Sequence, residues 1–259
     1  MTYAAPSRLE LIGLPGLPLI SAGDALAPLL DTALRAANLS LQSGDVLVLA
    51  QKIVSKAEGR RVALASVTPS RRALALAQRT GKDPRLVELI LRESRAVLRV
   101  GREVLIVEHQ SGFVLANAGI DQSNVNESGA DAQALLLPVD PDASATRLRN
   151  ELAALTGVEC GVLIIDSIGR AWRRGTVGQA IGAAGLPVVV DARGRADLFG
   201  RELRRTDIGV ADEIAAAASL LMGQANEGRP AVLVRGFGAT DAGQGARVLQ
   251  RDRREDLFR

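Results

Sequence analysis

Short apolar runs bounded by polar turns alternate along this chain with longer stretches whose apolar residues recur at helical spacing, the pattern of a mixed α/β fold. The run Val162-Leu163-Ile164-Ile165 is rich in β-branched residues and reads as a strand buried on both faces, ending at Asp166-Ser167. Comparable runs predict strands at Leu9 to Ile12, Asp45 to Ala50, Leu186 to Val190 and Pro230 to Arg235. Glu103 to His109 and Gly112 to Ala118 read as a hairpin across Gln110-Ser111. Helical spacing of Leu29, Leu30 and Leu34 predicts a helix from Pro28 to Ala37. Ser70 reads as the cap of a helix through Arg79, and Pro84 as the start of one over Arg85 to Ser94. Asp142 or Ser144 is expected to cap a helix to Thr156, and an Ala-rich helix is expected from Ile208 to Met222, stopped by Gly223.

Polar residues follow the buried runs in a way that suggests chemistry. Gln51, Lys52, Ser55 and Lys56 come directly after the second strand, and Asp121-Gln122-Ser123-Asn124 comes after the hairpin. Behind Asp166 and Ser167 lies a basic loop with Gly169, Arg170, Arg173, Arg174 and Gly175, of the kind that wraps anionic groups. If the strand-end carboxylates Asp121 and Asp166 converge, they would hold a divalent cation that bridges phosphate oxygens. The bland alternative is that each caps a turn and that Lys56 is a solvated lysine. Gly13 to Ile20, with two prolines and a glycine between them, forms a rigid loop, and Met222 to Arg229 is a Gly-bearing connection from helix to strand.

Composition narrows these options. At 259 residues the chain can form one large α/β domain or two smaller ones, and with 2% aromatic residues its core is aliphatic. Cys160 and His109 are the only residues of their types, which excludes a disulfide framework, a cysteine-rich zinc site and most histidine-based schemes. Carboxylates, hydroxyls, Arg and Lys must carry the chemistry, which favours oxygen-liganded Mg²⁺ or Mn²⁺. The net charge of +3 is too small for a nucleic-acid coat, and only Trp172 interleaves the Arg170–Arg174 cluster. No apolar run of about 18 residues and no signal-peptide pattern occurs, so a cytoplasmic location is expected. Neither a P-loop nor a GxGxxG motif is present.

Several long motifs then give a resemblance over nearly the whole chain. GLPLI at 16–20, GDVLVLAQKIVSKAEGR at 44–60, NAGIDQSNV at 117–125 and IIDSIGRAWRRGTVGQAIG at 164–182 occur in order, followed by DLFGREL at 197–203, VADEIAAAASLLMG at 210–223 and PAVLVRG at 230–236. These are similar to the coenzyme F420-0:L-glutamate ligases, which add γ-linked glutamate to a deazaflavin coenzyme. The resemblance implies an α/β fold with mixed sheets that forms an intertwined homodimer. It implies a single ligase domain over residues 1–259, with a division into two subdomains left open and without the C-terminal flavin-type domain of some relatives.

The resemblance further implies GTP as co-substrate, two Mg²⁺ or Mn²⁺ sites, and potassium as a further cation. By the family pattern Gly16, Leu17, Pro18, Leu19, Gln51, Lys52, Lys56 and Asn124 correspond to GTP-binding positions. So do Met222, Gly223, Gln224, Ala225, Asn226, Glu227, Gly228 and Arg229. Asp121 and Asp166 correspond to ligands of one metal, and Ser167 and Gln224 to ligands of a second. Ser167 stands where threonine is common, Gln51-Lys52 where some relatives carry small hydroxyl residues, and Gln224 where some carry glutamate. The implied reaction transfers a phosphoryl group from GTP to the terminal carboxylate of coenzyme F420-0, after which the L-glutamate amine displaces phosphate. Arg173 and Arg174 are expected to hold the anionic precursor or the transferring phosphate, beside Asp121 and Asp166 as catalytic carboxylates. Neither nucleic acid nor membrane is expected as a partner. A non-catalytic nucleotide- or deazaflavin-binding protein and an RNA-binding basic domain are the competing readings.

Overall fold

The computed structural model describes residues 8–123, 132–238 and 243–257. From the N-terminus come β1 (Glu10–Gly13), α1 (Leu26–Ala36), β2 (Val46–Ala50), α2 (Gln51–Ala57) and β3 (Arg61–Ala63). Next are α3 (Arg71–Thr80), α4 (Pro84–Arg92), β4 (Ser94–Gly101), β5 (Val104–His109), β6 (Val114–Ala116) and β7 (Gln133–Leu135). The C-terminal half holds α5 (Pro141–Thr156), β8 (Gly161–Arg170), β9 (Arg173–Ala184), β10 (Val190–Asp191), β11 (Asp207–Ile208), α6 (Val210–Met222) and β12 (Ala231–Arg235).

The main sheet has the order β1-β12-β2-β8-β9, with β2 and β8 parallel and the other neighbours antiparallel. Its central strands are buried on both faces because their side chains alternate between two cores. Leu47, Leu49, Val162 and Ile164 pack with Leu30 and Leu34 of α1 and Leu148 and Leu152 of α5. Val46, Val48, Leu163 and Ile165 pack on the opposite face with Ile214, Ala215 and Ala218 of α6. A third core joins Leu76, Ala77, Val87 and Ile90 of α3 and α4 to Leu105 and Val107 of β5, in the β4-β5-β6 sheet. Arg60 ties this third core to the rest, since its Nη2 donates to Glu93 Oε2 at 2.7 Å and its Nε to the Leu137 carbonyl at 2.8 Å.

β9 is an edge strand, and the helices flanking it cover its free N–H groups. Ser219 Oγ accepts from Gly178 N, Asp212 Oδ1 from Ala180 N and Asp142 Oδ1 from Ala183 N. The approach is close enough that a Cβ at Gly178 would strike the Ala215 carbonyl, and one at Gly182 the Pro141 carbonyl.

Most expected elements are present, with four differences. The strand through Asp166 continues to Arg170 and turns back as β9, so Arg173 and Arg174 lie on a hairpin arm and not in a loop. Trp172, 82% exposed and with φ 58°, sits in its turn. The expected strand Leu186 to Val190 is reduced to Val190–Asp191, paired with Asp207–Ile208. The helix to Thr156 is capped by Asp140, whose Oδ1 accepts from Ala143 N, because Pro141 takes the first helical position and Asp142 is committed to the β9 edge. Strand β4 is an addition to the expected elements: the helix expected to reach Ser94 ends at Arg92, and Ser94–Gly101 pairs with β5.

Candidate active site

β2 and β8 run side by side until their pairing stops at Ala50 and Ile165, and this brings the polar residues that follow those two positions to one place. A cleft of about 500 Å³ opens there. Its walls are Leu17, Pro18 and Leu19 of the rigid loop, Gln51, Lys52 and Lys56 of α2, Asp166 and Ser167 of β8, and the connection from Met222 to Arg229. The chain thus gathers four segments that are far apart in sequence. Gly16, with φ 78°, turns the loop just before its lining residues.

Asp121 reaches this cleft through Lys52. The Lys52 Nζ is 2.6 Å from Asp121 Oδ2 and donates to Ser123 Oγ at 2.9 Å. The other Asp121 oxygen, Oδ1, accepts from Ser123 N at 2.6 Å. Asp121 is held in place by a backbone bridge to Leu135 of β7. Burial alone would raise its pKa, but the Lys52 ammonium and the Ser123 hydroxyl and N–H outweigh it and hold the carboxyl below its ordinary range.

Asp166 is in the opposite state. Burial pushes its pKa up to about 6, the Ser167 N–H at 2.8 Å opposes the shift, and the nearby Asp121 charge adds to it. Among the described residues no Lys, Arg or His forms an ion pair with it. Lys56 lines the same cleft, and burial, with Arg61 and Lys52 beside it, lowers its pKa from the ordinary lysine value.

The donor set suits a hard divalent cation. Among the described residues no three His, Cys, Asp or Glu side chains cluster, so a cation here would take the carboxylates Asp121 and Asp166 and complete its shell with hydroxyl, water or ligand oxygens. That is the pattern of Mg²⁺ at phosphate-binding sites, which keeps waters and few protein carboxylates. Ser167 and Gln224 line the same cleft and offer a hydroxyl and an amide oxygen without a carboxylate, a weaker donor pair.

The loop after α6 is folded on itself. Glu227 Oε2 accepts from Ala225 N at 2.9 Å, and the loop N–H groups hold the Glu227 carboxyl below its ordinary range. This is possible because Gly223, with φ 72°, has no side chain where that carboxylate sits.

Not every sequence-derived position joins the cleft. Arg173 and Arg174 are exposed on β9, beyond the residues that line it. Arg173 pairs with Arg170, four residues past Asp166, which places it about 13 Å along the strand from the cleft floor. Asn124 lies outside the described residues. Gln51 does line the cleft, but it is buried with its Oε1 taken by the Ser55 hydroxyl at 2.8 Å. Ser219 lines the cleft without having been singled out, although its spacing of three and four residues before Met222 and Gly223 on one helix face carries that signal.

Two lysines, a glycine-bearing loop and an all-oxygen acidic corner around one cleft define an α/β protein suited to holding a polyanionic ligand. A family model described as F420-0:Gamma-glutamyl ligase matches residues 16–236, and the chain belongs to that family of ligases. It is similar to the coenzyme F420:L-glutamate ligase of Methanothermobacter thermautotrophicus, at 49% identity over 97% of this chain and 99% of that protein. The protein of the same name from Methanopyrus kandleri is 47% identical over 92% of each chain, and that of Methanocaldococcus jannaschii 40% identical over 97% of each.

Proposed function

We propose that this chain is a GTP-dependent ligase that joins L-glutamate to coenzyme F420-0 through a γ-linked amide, acting in coenzyme F420 biosynthesis. The observation that carries the reading is the acidic corner of Asp121 and Asp166 beside a cleft lined by Lys52, Lys56 and Arg229, in a chain similar over its length to named ligases. The rigid loop Leu17–Leu19 and the connection Met222–Arg229, which both line the cleft, form walls for GTP. Lys52, Lys56 and Arg229 offset the charge of its phosphates, and backbone N–H groups of the 223–228 turn are positioned to meet phosphate oxygens once Glu227 releases them.

Bound Mg²⁺ or Mn²⁺ would supply charge stabilisation for the phosphoryl group in transfer. The chain's part is to offer the oxygens: Asp121 and Asp166 would hold one cation, and Ser167 and Gln224 a second. The walls orient the γ-phosphate toward the precursor carboxylate and exclude water, so that the carboxylate oxygen attacks phosphorus and GDP leaves. The acyl phosphate formed on the precursor is then attacked by the glutamate amine, and an amide forms as inorganic phosphate departs. Arg173 and Arg174 on the hairpin arm meet the anionic remainder of the precursor, which extends outward from the cleft. A homodimer of single-domain chains, and addition of further glutamates, belong to the same proposal.

Purified protein incubated with GTP, Mn²⁺, L-glutamate and F420-0 tests it directly. The expected products are GDP, phosphate and a precursor heavier by one glutamyl residue. Folded protein that binds GTP or precursor without forming GDP would instead be a binding protein.

A further inference from the structure

Lys52 occupies a position that the proposed chemistry needs for something else. Its ammonium lies 2.6 Å from Asp121 Oδ2, and Ser123 N lies 2.6 Å from Asp121 Oδ1, so both oxygens of this carboxylate are engaged by the chain itself. Ser123 Oγ, at 2.9 Å from Nζ, fixes the ammonium from a second side. Asp166, across the same corner, accepts only from Ser167 N among the described residues. A divalent cation shared by the two carboxylates would need to approach an Asp121 oxygen to about 2.1 Å, and Oδ2 already has the ammonium at 2.6 Å. Two cations cannot share that oxygen at such range without strong repulsion.

Lys52 has an alternative partner. It lies in the first turn of α2 and lines the cleft, so phosphate oxygens of a nucleotide seated there compete with Asp121 for its ammonium. We propose that Lys52 is an internal counter-ion that guards Asp121 and leaves it only when a nucleotide's phosphates enter the cleft, so that divalent-cation binding at this corner follows nucleotide binding. This rests on the nucleotide-and-metal reading above and adds an order to it. By linkage, the cation then strengthens nucleotide binding by the same factor by which the nucleotide strengthens cation binding. The consequence is a site that stays neutralised and metal-poor while empty.

The test is Mn²⁺ affinity in the absence of nucleotide, read by titration calorimetry and by the electron paramagnetic resonance signal of free Mn²⁺. Wild type is compared with Lys52→Met, which keeps the length of the side chain without its charge, and with Lys52→Gln as a second variant; each is checked for folding by circular dichroism. Lys56→Met removes one charge from the same cleft and keeps the Lys52–Asp121 pair. Without nucleotide, both Lys52 variants are expected to bind Mn²⁺ roughly tenfold or more tightly than wild type, and Lys56→Met by a factor below about three. With saturating GDP, the gain in Mn²⁺ affinity is expected to be smaller in Lys52→Met than in wild type. Equal nucleotide-free affinity in wild type and Lys52→Met, or an equal effect of Lys56→Met, overturns the inference and leaves the metal site standing. Absence of Mn²⁺ binding in every protein, with and without GDP, overturns the metal site and the inference with it.

Discussion

Replacing Asp166 by Asn separates the carboxylate's role from the stability of the fold. Burial raises its pKa from 3.8 to about 6 in the folded protein. Between those values the folded chain binds more protons than the unfolded one, so stability falls as pH rises through this window and the full penalty is present above it. A shift of roughly two units corresponds to about 3 kcal/mol as an upper bound, and partial exposure of the side chain reduces this to about 1–2 kcal/mol. Asn has the same shape, and its Oδ1 can accept the Ser167 N–H as Asp166 does. In a chelating buffer at pH 8, Asp166→Asn is therefore expected to be more stable than wild type by that amount, or about 2–6 °C in melting temperature for a chain of this size. The advantage should shrink as the pH is lowered through about 4 and vanish below about 3, where the wild-type carboxylate is protonated in both states. Adding Mn²⁺ with GDP at pH 8 should reverse the order, because only wild type keeps both carboxylates to bind it. Urea unfolding at pH 4.5, 6 and 8 checks all three expectations. A variant less stable than wild type at pH 8, or a difference that does not change with pH, refutes the assignment of Asp166 as a carboxylate whose burial outweighs its stabilising contacts.

Three further outcomes are expected. Glu93 accepts from Arg60 at 2.7 Å and faces His109 Nε2 at 3.6 Å; burial would raise its pKa, but His109 and Arg60 hold it below the ordinary value. Its stabilising contribution is present above the unfolded value near 4.5 and is lost as pH falls through the folded one, so Glu93→Gln should cost about 2 kcal/mol at pH 7 in urea unfolding and less in acid. Gly223→Ala should cost about 1–2 kcal/mol, since its φ of 72° disfavours a side chain and the Glu227 carboxylate fills the space, and GDP affinity measured by calorimetry should fall with it. Arg174→Ala should raise the KM for F420-0 about tenfold with little change in the KM for GTP, because its arm lies beyond the cleft; unchanged kinetics for the precursor would remove Arg174 from the site.

Much of the local structure was legible in the chain because it depends on local physics. Val46 to Ala50 and Val162 to Ile165 are strands because continuous β-branched and aliphatic runs need burial on both faces. Ser70 marks a helix start by capping and Gly223 a helix end by a positive φ that favours glycine, and the pattern of Pro84 followed by Leu86, Leu89 and Ile90 defines α4. Polar residues behind buried strands pointed to Asp121, Asp166, Lys52 and Lys56 before their positions were known. What was not legible were features set by partners distant in sequence: β4, for which nothing was expected beyond Ser94, forms because β5 is there to pair with it, and Asp142, one of the two expected caps, is drawn from capping by the edge of β9.

The sequence by itself determined most element types, the aliphatic core and the family motifs, since each is written in neighbouring residues. Only the tertiary structure decided that the opening apolar run does not stop at Asp166 but carries it past the cleft into a hairpin, with Arg173 and Arg174 on the far arm. It alone placed the Lys52 ammonium on Asp121, 69 positions away by their numbers, and left Asp166 without a cation among the described residues. The reason is physical: alternation and capping act over a few residues, whereas the balance of charge in a cleft depends on which strand ends the sheet brings together.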